Sequence, residues 1–88
     1  MKIVWDHPKR LANIAKHGLD FATLTEDFFA DALVIHAKSG RYNAIGKDVN
    51  GVISVVFATL GLEGISIISM RPASVREKRL YHAYSKKG

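Results

Sequence analysis

The spacing of apolar residues changes character partway along the chain. Up to about residue 31 they recur at helical intervals, and from Leu33 to Met70 they fall into strand-like runs separated by turn residues. Ile3-Val4-Trp5 reads as a short strand. Asp6 can cap a helix that accepts Pro8 in its first turn, with Leu11, Ile14 and Ala15 as its apolar stripe. Lys16, His17 and Gly18 close that helix, because basic side chains offset the dipole at a C-terminus and glycine takes the left-handed cap. Asp20 can cap a second helix with Phe21, Leu24 and Phe28 facing inward. The two helices then make a hairpin across a tight glycine turn.

Leu33 to His36 and Arg41 to Lys47 read as strands around the turn residues Lys38-Ser39-Gly40. Asn50-Gly51 is the strongest hairpin signal, since a type I′ turn needs positive φ at both central positions. Val52 to Thr59 is β-branched and nearly free of charge, which predicts a central strand buried on both faces. Gly61 to Gly64 turns the chain into a last strand, Ile65 to Met70, which Pro72 ends. Ala73 to Tyr84 then forms the final helix. The expected architecture is α+β: a short N-terminal strand, a two-helix hairpin, an antiparallel four-stranded meander and a C-terminal helix. One domain over residues 1–85 is expected, with 86–88 as a tail.

Composition narrows the function classes. The chain has 88 residues, 48% apolar and 24% charged, an ordinary globular balance with a modest core. With no cysteine there is no disulfide framework and no thiolate metal site. No apolar run reaches the length of a membrane span, and Met1 to Asp6 is too polar and short for a signal peptide, so the cytoplasm is the expected location. Charge is unevenly placed. Residues 71–88 carry six basic side chains against Glu77 alone, whereas the first 70 residues carry seven of each sign. A neutral body with one basic helix points to a polyanion, most often nucleic acid; the plainer alternative is a solvated helix.

On a helical wheel, Ala73, Leu80 and Tyr84 mark the side of the last helix facing the sheet. Arg76 and Glu77 then flank this stripe, while Lys78, Arg79 and His82 point outward. Half-buried charges are unfavourable unless paired or used. A salt bridge and a charged pocket, with Arg71 at the same edge, are the two readings.

Two stretches carry a resemblance. One is Trp5-Asp6, Lys9, Asn13 and Lys16-His17-Gly18, followed by Phe21. The other is Ile67 to Arg71, then Ala73-Ser74, Arg76-Glu77, Arg79 and Tyr81, with Arg41 to Gly46 between the two as a central strand. The sequence is similar to the BrnT toxins of bacterial type II toxin–antitoxin systems, from Trp5 to Tyr81. It departs at His7 and Pro8, and at Pro72, where a basic residue is common. The resemblance implies a RelE-like fold, a metal-independent ribonuclease that inhibits translation, and a cognate BrnA antitoxin that also binds operator DNA.

Such chemistry uses the RNA's 2′-hydroxyl as nucleophile, with proton carriers for both oxygens and fixed cations for the charge developing on phosphorus. Arg71 and Arg76 suit the phosphate because a guanidinium binds it through two N–H groups and keeps its charge. His17 is the candidate proton carrier, since histidine titrates near neutrality, and Lys16 joins it as a catalytic candidate. Arg41, Glu77, Arg79 and Tyr81 complete the expected RNA-binding set, Tyr81 by stacking on a base. The carboxylates are scattered and the histidines unpaired, so neither a metal site nor a cofactor is expected. The rival reading is a non-catalytic basic module that docks a protein partner or DNA.

Overall fold

The computed structural model describes residues 1–87. Strand β1 (Lys2–Trp5) leads into helix α1 (His7–His17), a 3-10 turn (Phe21–Thr23) and helix α2 (Glu26–Asp31). Strands β2 (Leu33–His36), β3 (Arg41–Asp48), β4 (Gly51–Leu60) and β5 (Gly64–Pro72) follow, and helix α3 (Val75–Lys87) comes last. The four strands β2 to β5 form the expected antiparallel meander, and β1 adds a fifth by pairing parallel to β5, giving the order β1-β5-β4-β3-β2. Strand β4 is central, and Ile53, Ser54 and Val55 in succession are buried, so both of its faces are covered. Of the expected 86–88 tail, α3 runs on through Lys87, and Gly88 lies outside the described residues.

The core lies on one face of the sheet. Phe21, Leu24 and Phe28 pack there against Ala44, Val55, Phe57, Ile67 and Met70, and Ile3 and Trp5 border them. A Cβ at Gly46 would sit 2.8 Å from Phe28 Cε1, so glycine is what lets α2 lie this close to β3. Asn43, Ile45, Ser54 and Arg71 alternate onto the opposite face, where α3 packs.

Four local expectations are corrected. Asp20 caps only the 3-10 turn, accepting from Ala22 N–H at 2.9 Å; Thr23 Oγ1 donates to the Asp20 carbonyl at 2.8 Å, and Thr25 caps α2 separately. The hairpin of two α-helices is therefore a helix, a 3-10 turn and a short helix. At the β3–β4 turn, Asp48 Oδ1 accepts from Asn50 N–H at 2.7 Å and only Gly51 takes positive φ, so Asn50-Gly51 is not a type I′ pair. Two consecutive positive φ values occur instead at Ser39 and Gly40, between β2 and β3. On α1, Leu11 is 51% exposed and Ala15 is exposed; the buried residue is Asn13. On α3, Glu77 and Tyr81 face inward, while Arg76, Leu80 and Tyr84 are exposed.

Candidate functional site

The inward turn of Glu77 begins at the start of α3. Ser74-Val75-Arg76-Glu77 is a capping box: Ser74 Oγ accepts from Glu77 N–H at 3.1 Å, and Glu77 Oε1 accepts from Ser74 N–H at 2.8 Å. This reciprocal pair sets the rotation of the helix, and with it Arg76 points away from the sheet rather than beside the apolar stripe.

Glu77 then receives Arg71 through both oxygens, Nη1 to Oε1 at 2.7 Å and Nη2 to Oε2 at 3.0 Å. Asn43 Nδ2 also donates to Oε2 at 3.3 Å, and Ser54 Oγ lies 3.1 Å from the same oxygen. Ser54 Oγ is 2.6 Å from Asn43 Oδ1 as well. A hydroxyl has a single proton, so Ser54 serves one of these acceptors at a time. Ser54 is fully buried, the Glu77 side chain is 13% exposed and Arg71 is 40% exposed. Burial works to raise the Glu77 pKa, but hydrogen bonds from Arg71, Ser74 N–H and Ser54 outweigh it and hold the carboxyl at about 2. A carboxylate so stabilised is a poor proton acceptor near neutrality. Arg71 Nη1 reaches the Pro72 carbonyl at 3.3 Å, and among the described residues its Nε makes no hydrogen bond.

A second cluster lies along β5. Pairing with β1 stops at Ile67, and beyond it the amide of Asn13 takes the place of a neighbouring strand. Asn13 Oδ1 accepts from Met70 N–H at 3.0 Å, and its Nδ2 donates to the carbonyls of Met70 at 2.8 Å and Leu19 at 2.9 Å. This clamp sets α1 against β5 and leaves a groove of about 220 Å³ lined by Lys9, Asn13, Lys16, His17, Ile68 and Ser69. Lys16 is exposed and His17 half-buried. Ser69 and Arg71 are two residues apart on one strand, hence on one face and about 7 Å apart, so the groove and the Arg71 cluster adjoin.

Arg10 and Asp20 brace the loop after α1 with a two-point ion pair at 2.7 and 2.9 Å. The hydrogen bond from Arg10 is the main reason the Asp20 carboxyl lies at about 2. Arg41 begins β3, two residues before Asn43 and alternating onto the same face, and is exposed. Arg76 and Arg79 are exposed along α3. Tyr81 is half-buried and lines a different groove, of about 530 Å³, with Phe28, Lys47 and Asp48.

Thus the structure joins Arg71 to Glu77 and Lys16 to His17, and sets Arg76, Arg79 and Tyr81 outside both clusters. Sequence reasoning missed Ser54 and the clamping role of Asn13. Ser74-x-x-Glu77 was a readable signal for the first cluster; a lone Asn amid the apolar positions of α1 was a faint one for the second. Among the described residues no three His, Asp or Glu side chains gather where they could hold a metal ion, and no helix is long and apolar enough to cross a membrane.

A family model described as the ribonuclease toxin, BrnT, of type II toxin–antitoxin systems matches residues 5–77. The 1.1 Å crystal structure of the Brucella abortus ribonuclease toxin, BrnT, is similar, with 53% identity and a TM-score of 0.79; the match covers 84% of this chain and 97% of that one. No curated protein matches. Fold and sequence together define a ribonuclease toxin of a type II toxin–antitoxin system. Within that class, the chain belongs to the BrnT family.

Proposed function

We propose that this protein is an endoribonuclease that cleaves RNA by attack of the substrate's own 2′-hydroxyl, without a metal ion or other cofactor, and so inhibits translation. The observation that carries the reading is the Arg71 guanidinium, held along one edge by Glu77 and left with Nε facing no protein acceptor among the described residues. An arginine fixed in this way can receive a phosphate without first being ordered. His17, in the adjoining groove, carries protons, and Lys16 beside it neutralises phosphate. Arg41 extends the cationic track across the open face. Arg76 and Arg79 add charge along α3, Tyr81 stacks on a base from the groove it lines with Phe28 and Lys47, and Glu77 enters RNA binding only through Arg71.

The outer side of α3 supports the partner assignment. Val75 is 67% exposed there, and Leu80 and Tyr84 are exposed near Arg76 and Arg79. An acidic, amphipathic segment of a BrnA-like antitoxin would cover this surface, with operator DNA bound only through the antitoxin. The cytoplasm is the compartment where such a toxin meets its RNA.

The test is cleavage of RNA by the purified protein in the presence of EDTA, with analysis of the product ends. Turnover with a 2′,3′-cyclic phosphate and a free 5′-hydroxyl is expected. Activity that requires added Mg²⁺, or products bearing a 5′-phosphate, would sink the mechanism. Binding without cleavage would favour a docking module.

A further inference from the structure

We infer that Ser54 and Asn43 are positioning residues for the cleavage reaction: they hold the Glu77 carboxylate, and through it they fix the Arg71 guanidinium toward the scissile phosphate. The inference rests on the proposed role of Arg71.

Strands β3 and β4 supply the floor of this arrangement. Asn43 and Ser54 stand on the α3 face of adjacent strands, and Ser54 is the direct register partner of Arg71 on β5. Ser54 is a fully buried polar residue on the α3 face of β4, opposite the core face that Ile53 and Val55 fill, and a hydroxyl buried there needs a hydrogen-bond partner. Its hydroxyl lies 2.6 Å from Asn43 Oδ1 and 3.1 Å from Glu77 Oε2. Asn43 Nδ2, at 3.3 Å, supplies a further donor to that oxygen. The other oxygen is set by Ser74 N–H and Arg71 Nη1, at 2.8 and 2.7 Å.

The carboxylate is therefore contacted by Ser54, Asn43 and the Ser74 N–H as well as by Arg71. Arg71 is more exposed than its partner, at 40% against 13%, and has the long flexible stem that costs most to immobilise. Docking it on a rigid carboxylate removes that cost before RNA arrives, which acts on the rate of the chemical step rather than on RNA affinity. Without Ser54 or Asn43, Glu77 keeps Arg71 as a partner but loses the floor that fixes where both of them point.

A double-mutant cycle on RNA cleavage tests this, read with enzyme in excess so that slow variants remain measurable. Ser54→Ala is expected to lower the maximal cleavage rate about tenfold with the RNA concentration at half-maximal rate nearly unchanged. Arg71→Ala is expected to lower it about 10²-fold or more. In the Arg71→Ala background, Ser54→Ala should have almost no further effect on the rate. Asn43→Ala, at a half-buried position, should behave in the same way and guards against a folding defect at Ser54; thermal melts of all variants accompany the cycle. If Ser54→Ala slows cleavage equally in both backgrounds, the serine acts on structure alone and the inference is overturned while the role of Arg71 stands. Parent-like cleavage by Ser54→Ala and Asn43→Ala overturns it equally. If Arg71→Ala itself cleaves at the parent rate, the inference falls together with the reading beneath it.

Discussion

Helices α1 and α3 meet the same strand at neighbouring residues, by opposite chemistry. Asn13 of α1 grips Met70 by its backbone, and Glu77 of α3 grips Arg71 by its side chain. The amide is neutral and buried, and its three hydrogen bonds end on main-chain groups present whatever the residue. The carboxylate is charged, near the surface, and ends on one particular cation that still faces solvent. The first contact has only a fold to maintain. The second orients an exposed cationic side chain, and it does so with an interaction that responds to pH.

Breaking the neutral clamp should have the largest effect. Asn13→Ala strands a buried N–H and two carbonyls, and is expected to destabilise the protein by about 3 kcal/mol or more. For a domain this size that lowers the melting temperature by roughly 15 °C. A melting temperature within a few degrees of the parent would mean that water replaces the amide and that α1 needs no clamp.

Of the two contacts, only the charged one should respond to acid. The folded Glu77 carboxyl lies at about 2, against an ordinary 4.5. Its contribution is fully present above about pH 5 and is lost as pH falls toward 2, because the unfolded chain takes up the proton first. With water screening at Arg71 allowed for, the contribution is about 2 kcal/mol. Melts of the parent and of Glu77→Gln should therefore differ near neutrality and converge by about pH 2. Curves that stay parallel throughout would show that the pair adds no pH-dependent stability. Asp20, lowered in the same direction by Arg10, adds to acid sensitivity in both proteins alike.

The smallest effect is expected on the outer face of α3. Arg79→Ala should weaken RNA binding severalfold and reduce the slope of log affinity against log salt by about one. An unchanged slope would remove Arg79 from the RNA path and leave its face to a protein partner.

What was legible in the sequence follows from where the information lay. Val52 to Thr59 was readable as the central strand because burial on both faces leaves a continuous β-branched run. The face of α3 was not readable from its apolar residues. This helix buries little, so Leu80 and Tyr84 did not decide its rotation; the Ser74 cap and the Arg71 pair did. The same holds at Asn13, where one amide outranks the exposed Leu11 in setting α1. The β3–β4 hairpin was found, but Asp48 captured Asn50 N–H and changed its turn type, a side-chain event that dipeptide preference does not encode. Arg71 and Lys16-His17 were recognisable as residues, whereas their separation into two adjoining clusters depended on β5, which only the fold places between α1 and α3.

The pairing of β1 with β5 has a consequence for timing. Within the sheet, the first strand to be synthesised pairs with the last, and Asn13 waits for Met70, 57 residues later. Contacts of such sequence separation carry a large loop-closure cost and slow folding. Neither the Asn13 clamp nor the Arg71–Glu77 pair can close before residues 70 to 77 have been synthesised, so α1 and β5 wait for the same short stretch of chain.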